Sequence, residues 1–195
     1  MSQRVVVAMT GSTGQIYGIR LLQLLEETPY ETHLVLSNAS KLNIVQEADY
    51  AVEDVEALAD VAYDYKNVGA APASGSFRTE GMLVAPCSMK TLSNVAHASA
   101  GNLITRTADV TLKERRPLVV MPREKPFNRI HIENMLKVTD AGAIVMPPFP
   151  SFYSKPESID EMVSRTAIRT LSLLDLDVEF EIDEWKGMST ERDSP

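Results

Sequence analysis

Four stretches of this chain are continuously apolar: Val5-Val6-Val7-Ala8-Met9, Met82-Leu83-Val84-Ala85, Leu118-Val119-Val120-Met121 and Ala143-Ile144-Val145-Met146. A strand wetted on one face alternates apolar and polar residues, whereas a strand covered on both faces does not. Between these runs the apolar positions recur at helical spacing, as with Ile16, Ile19, Leu21, Leu22 and Leu25. The pattern predicts strands at Arg4–Met9, Thr32–Leu36, Met82–Ala85, Leu118–Met121 and Ala143–Met146. Helices are predicted at Gln15–Glu27, from a Ser37-Asn38-Ala39-Ser40 cap to about Asp49, at Glu53–Asp60, Ser88–Ser99, Leu103–Arg115, Asn128–Lys137 and from Ser158 to about Leu174. Residues 66–81 are rich in Gly, Ala, Ser and Pro and read as a loop.

Alternation of buried strands with helices implies an α/β fold with a doubly wound parallel sheet, Rossmann- or flavodoxin-like. No repeat and no linker interrupts it. Residues 1–187 are expected to form one domain and 188–195 a frayed tail.

Composition narrows the function classes. The chain has 195 residues, enough for one domain with a sizeable core, and 44% of them are apolar. No run approaches the roughly 18 apolar residues of a membrane helix. Met1-Ser2-Gln3-Arg4 enters a strand directly, which is read as leaving no room for a signal peptide. One Cys allows no internal disulfide, and a reducing, cytoplasmic setting is expected. The net charge of −8 argues against a nucleic-acid surface and means that an anionic ligand must be met by local cations. His33, His97 and His131 show no metal-ligand spacing, and no metal is expected.

In doubly wound sheets ligands bind beyond the carboxyl ends of the strands. Those positions hold Gly11-Ser12-Thr13-Gly14, Ser37, Pro86-Cys87-Ser88-Met89-Lys90-Thr91, Pro122-Arg123-Glu124 and Pro147-Pro148 followed by Phe152-Tyr153. Hydroxyls, small residues and helix starts together suit a phosphate and a ring. Each piece also has a plainer reading. The Gly-Ser-Thr-Gly segment serves equally as a tight strand-to-helix turn. Ser37 and Ser88 serve as N-caps, Cys87 as a small buried residue, and Lys113-Glu114-Arg115-Arg116 as a solvated helix end.

The chain resembles the UbiX-type flavin prenyltransferases along nearly its whole length. The resemblance rests on Met9-Thr10-Gly11-Ser12-Thr13-Gly14 with Tyr17-Gly18, Glu47-Ala48-Asp49, Ala73-Ser74-Gly75-Ser76 and Pro86-Cys87-Ser88-Met89-Lys90-Thr91-Leu92-Ser93. It continues through "ADVTLKERRPLVVMPREKPF" at 108–127, "HIENMLK" at 131–137, "PPFPSFY" at 147–153 and Trp185. It implies transfer of a dimethylallyl group from dimethylallyl monophosphate to N5 and C6 of reduced FMN, without a metal. The product, prenylated FMN, would serve a UbiD-type decarboxylase. A homododecamer with sites at subunit interfaces is implied as well. By the same resemblance Gly11, Ser12, Thr13, Ser37, Ser88, Met89, Lys90, Thr91 and Arg123 would hold FMN. Ser74, Gly75, Ser76, Arg106, Lys113, Tyr153, Arg169 and Trp185 would meet the prenyl phosphate. Glu124, Glu47, Thr13 and Lys113 would carry the chemistry, with Glu124 the first candidate for proton handling.

One departure stands out. Thr13 replaces a Ser common at this position in the family, which keeps the hydroxyl but restricts its rotamer. Two rival readings share the flavin. A flavin-dependent cysteine decarboxylase would need an active-site His where this chain has "EADYAVEDV" at 47–55. A non-catalytic FMN carrier, or structural partner of a decarboxylase, would leave the prenyl-phosphate set dispensable; an older reading, an aromatic-acid decarboxylase in its own right, would require unaided release of carbon dioxide.

Overall fold

The computed structural model describes residues 3–178 and residue 187. Trp185 and the expected tail at 188–195 lie outside the described residues. Six parallel strands form one sheet in the order β3-β2-β1-β4-β5-β6. They are β1 (Arg4–Met9), β2 (Glu31–Leu36), β3 (Val61–Tyr63), β4 (Gly81–Cys87), β5 (Leu118–Pro122) and β6 (Ile144–Val145). This is the Rossmann order, and the chain reverses direction across the sheet between β1 and β4.

The continuous apolar runs sit where both faces are covered. Every residue of β4 and of β5 is buried, as are Val5 to Met9 of β1. Alternate residues feed two cores. Val5, Val7 and Met9 pack with α1 (Gln15–Glu26) and α7 (Ile159–Leu171) on one side. Val6 and Ala8 pack with α4 (Met89–Ala96) and α5 (Leu103–Lys113) on the other. The remaining helices are α2 (Asn38–Glu47), α3 (Val52–Ala57) and α6 (Arg129–Asp140).

Some elements differ from the sequence expectation. The short strand β3 falls between the expected helix and loop, where no element was predicted; it has three residues, none fully buried, at the sheet's edge. The last helix gives way after Leu171 to a single tighter turn at Ser172–Leu174. Helix α6 runs three residues further than Lys137, to Asp140, because Val138 still packs into the core.

Around the amino end of β2 a small polar cluster forms. His33, 2% exposed, places Nδ1 2.9 Å from the Tyr63 hydroxyl and packs edge-on against Phe77. Arg4 lies over the Phe77 ring and pairs with Glu31 at 3.0 Å. Among the described residues no helix is long and apolar enough to cross a membrane.

Candidate active site

The carboxyl ends of β1 and β4 are tied together by Thr10. Its N–H and its hydroxyl both donate to Pro86 O at 3.0 Å, and its Oγ1 accepts from Ser88 N–H at 2.7 Å. The next residues, 11–14, leave β1 over the start of α2. A Cβ on Gly11 would lie 2.3 Å from Ala39 Cβ, so only glycine permits that approach. Gln15, fully buried, then fixes the turn: its amide donates to Thr10 O at 2.8 Å and Ser12 O at 2.6 Å, and its Oε1 accepts from Ser40 Oγ at 2.6 Å. Ser12 Oγ donates to Arg123 O at 2.8 Å, which joins the loop to the end of β5.

Glu47 closes this loop from above. Its Oε1 accepts from the backbone N–H groups of Gly14 at 3.0 Å and Gln15 at 3.1 Å, and its Oε2 accepts from the Thr13 hydroxyl. The carboxylate therefore neutralises the positive end of α1. The starts of α2 and α4, by contrast, carry no acidic side chain in their first turns. Ser37 and Ser88 are N-caps: each hydroxyl oxygen accepts one N–H, from Ser40 at 3.1 Å and from Thr91 at 3.3 Å. Capping does not remove them from the edge. Ser37 N–H donates to Met9 O, so the starts of α2 and α4 both flank the end of β1.

A cleft of about 280 Å³ opens beside these residues, lined by Thr13, Gly14, Tyr17, Arg123, Glu124 and Phe149 among others. Glu124 is exposed there, and its Oε1 accepts from Lys125 N–H at 3.0 Å. Tyr153 and Arg169 line a second, smaller cavity that shares Phe149 with the first. Arg169 Nη1 also donates to Ser172 Oγ at 2.9 Å.

The third group stands elsewhere. Lys113 ends α5, five residues before β5 begins at its amino end, whereas Arg123 follows the carboxyl end of β5. The two thus lie about one strand length apart, roughly 17 Å for five residues. Ser74, Gly75 and Ser76 share the Lys113 side: Phe77 packs beside Arg4 at the start of β1, and Arg106 Nε donates to Ala73 O at 3.2 Å. Lys113 is paired with Glu114, whose carboxyl is held below its usual range chiefly by the Lys113 hydrogen bond.

The plainer readings hold for the remaining candidates. Burial pushes the Cys87 thiol up to about 12, far from a nucleophilic thiolate. His97 Nδ1 lies 2.8 Å from Ser93 O, and His131 caps α6 with Asn128. Among the described residues no three His, Cys, Asp or Glu side chains are grouped to hold a metal. Sequence reasoning missed Thr10 and Gln15 as residues that build this edge. Gln15 shares a helical face with Gly18, Ile19 and Leu22, and a polar residue on a buried stripe was the available signal.

The Flavoprotein family profile matches residues 1–170. A probable UbiX-like flavin prenyltransferase of Bacillus subtilis is 47% identical over 97% of this chain and 92% of its own length. A crystal structure of AnUbiX (PadA1) with FMN and dimethylallyl pyrophosphate superposes with a TM-score of 0.93 at 46% identity, covering 97% of this chain and 100% of that one. A dodecameric FMN-dependent UbiX-like decarboxylase from Escherichia coli O157:H7 gives 0.91 at 45% identity, over 95% of this chain and 100% of that one. The match runs through the edge that gathers Thr13, Ser37, Ser88, Arg123 and Glu124, so this chain belongs to the flavoprotein family and, within it, to the UbiX-type flavin prenyltransferases.

Proposed function

We propose that this chain transfers a dimethylallyl group from dimethylallyl monophosphate to N5 and C6 of reduced FMN, and that the prenylated FMN passes to a UbiD-type decarboxylase. The observation that carries this is the cleft at the chain reversal, where Thr13, Arg123 and Glu124 face one space that adjoins the Tyr153–Arg169 cavity.

The residues at this edge fit a flavin mononucleotide. Two capped helix starts, the hydroxyls of Ser12, Ser37, Ser88 and Thr91 and the cation of Arg123 match a dianionic phosphate, and the adjoining cleft has apolar walls at Tyr17, Pro148 and Phe149. Gly11, Met89 and Lys90, at the starts of the same loop and of α4, are assigned to the same FMN set. Reduced FMN supplies the nucleophilic positions when bound. The protein supplies position, charge and proton control.

Arg123 and the starts of α2 and α4 hold the acceptor's phosphate. The Thr13 hydrogen is committed to Glu47, so the hydroxyl turns its lone pairs to the cleft, and β-branching keeps it there. Glu124, exposed in the cleft, handles the proton at the reacting ring or the departing phosphate. Tyr153 and Arg169 meet the donor's phosphate and offset its charge as the C–O bond breaks. Lys113, Arg106 and Ser74–Ser76 belong to the same donor set yet stand toward the opposite edge of the sheet. They complete the site only when supplied by a second copy of the chain, as in a homododecamer. The exposed Phe149, Phe152, Ile130, Ile132 and Leu136 are the apolar surface such an assembly would cover. We place the protein in the cytoplasm, in line with its single buried, unpaired Cys87.

The test is anaerobic incubation of the purified protein with reduced FMN and dimethylallyl monophosphate, with mass spectrometry of the extracted flavin. A gain of one C5 unit with release of phosphate is expected. Unmodified FMN from a folded, FMN-loaded protein, with both the monophosphate and the pyrophosphate donor, would put the flavin-carrier reading in its place.

A further inference from the structure

Within "KERR" at 113–116, Arg116 looked like one charge of a solvated helix end. The structure gives its guanidinium two backbone carbonyls instead. Nη2 donates to Gly75 O and Nη1 to Phe77 O, each at 2.7 Å. Those carbonyls flank Ser76. With Arg106 on Ala73 O, the carbonyls of residues 73, 75 and 77 are all drawn toward the α5 segment, and the exposed Ser74 and Ser76 hydroxyls meet at 2.9 Å.

Arg116 is itself held in place. Helix α5 closes with Arg115 in the left-handed region at φ 59°, where a non-glycine residue is strained. Two bonds fasten this turn, Arg115 N–H to Leu112 O and Arg116 N–H to Thr111 O, both at 3.0 Å. The turn leaves Arg116 directly after the left-handed Arg115, three residues past Lys113 and facing the loop. The loop's other end is anchored by Phe77, which lies 5.0 Å edge-on from the buried His33 ring and 4.5 Å beneath Arg4. Gly75 between them touches the Lys113–Glu114 pair so closely that a Cβ would sit 2.8 Å from Lys113 Nζ.

We infer that Arg116 is a positioning residue for the prenyl-phosphate donor: it clamps Gly75 and Phe77 so that Ser74, Ser76 and the Lys113 ammonium present one rigid anion-binding face. This inference rests on the donor site named under the proposed function. A planar guanidinium presents two N–H groups in a fixed fork that matches the two carbonyls, a geometry that a compact, freely rotating ammonium does not reproduce. The role is therefore one of shape, not only of charge.

The experiment compares wild type, Arg116→Ala and Arg116→Lys as FMN-loaded oligomers. Dimethylallyl monophosphate binding is measured by calorimetry, alongside donor KM, kcat, FMN affinity and oligomer size. Both variants are expected to bind the donor about tenfold more weakly, the scale of one charge-assisted hydrogen bond, with FMN affinity and oligomer size unchanged. Wild-type donor affinity in Arg116→Lys would reduce the residue to a charge and overturn the clamp. Parallel loss of FMN affinity in both variants would make Arg116 a general structural brace and overturn it equally. Wild-type enzyme that neither binds the donor nor extends the flavin sinks the functional reading first, and this inference with it. Wild-type enzyme that extends the flavin while Arg116→Ala keeps full donor affinity sinks the inference alone.

Discussion

Gln15 carries more of the site than any residue that touches the cleft. Its three side-chain hydrogen bonds hold the 10–14 loop between β1 and α2 with no exposed surface. Gln15→Leu keeps the volume but leaves two loop carbonyls and the Ser40 hydroxyl without that partner. A loss of about 2–4 kcal/mol in chemical denaturation is expected, with weaker FMN binding in the folded fraction. An unchanged midpoint would show that water replaces the amide. Glu124 is the contrasting case, exposed and, among the described residues, tied to its neighbour's N–H. Glu124→Gln is expected to keep FMN bound and lower turnover about a hundredfold, the usual scale of a lost acid–base group. Wild-type turnover would remove it from the mechanism. Gly75→Ala belongs beside these. The added methyl meets flexible side-chain ends at Lys113 and Glu114, so thermal stability should hardly move. Donor KM should rise severalfold, because the ammonium is displaced. A stability loss without a KM effect would separate the loop from donor binding.

At the scale of elements, the loop at 71–77 depends on β2 as well as on α5, and that dependence is titratable. Burial holds His33 below the ordinary imidazole value, against the opposing pull of Glu31, with Arg4 adding to the depression and Asp60 resisting it; Tyr63 faces the ring on the other side. The folded protein therefore keeps a neutral ring where the unfolded chain would already take a proton. The stabilising contribution is complete above about pH 6.5, the unfolded value, and is lost as pH falls below it toward the folded value. Thermal unfolding at about pH 7.5 and about pH 5.5 should show a drop that is smaller in His33→Gln. Equal drops in the two proteins would assign the effect elsewhere.

The same elements show what was legible in the sequence. Strands β1, β4 and β5 were readable because both faces are covered, which leaves runs with no polar position. Strand β3 was not: three half-covered residues at an edge offer no period to detect. Ser37 and Ser88 signalled their helix starts through cap chemistry that is local in sequence. The partners of Thr10 and Arg116 were invisible because they lie 76 and 41 residues away along the chain. Long-range backbone acceptors leave no residue-type signature.

At the scale of the whole molecule, the distribution of cations is the informative quantity. The chain carries a net charge of −8, yet the segment 106–116 holds four cations, Arg106, Lys113, Arg115 and Arg116, against two acids, Asp109 and Glu114. That patch offers an anion local attraction within a repelling field. A subunit-mixing experiment tests whether it serves a neighbouring copy. Lys113→Ala and Glu124→Gln are each expected to be nearly inactive alone. Co-assembled from equal amounts of denatured and refolded chains, they should regain about a quarter of wild-type activity, since that share of sites draws both intact residues from different copies. No recovery from well-formed mixed oligomers would put both residues in one chain's site.

The separation of Lys113 from Arg123 across the length of β5 has a consequence for when reactivity exists at all. If the donor set is shared between copies as proposed, a lone chain, whether newly made or shed by dilution, would hold the Arg123–Glu124 part of the centre without a partner's Lys113. It would have no complete set of cations with which to ionise a donor. Specific activity should accordingly fall faster than protein concentration once the assembly dissociates. An electrophile hazardous to bystander nucleophiles would then be generated only where two copies meet.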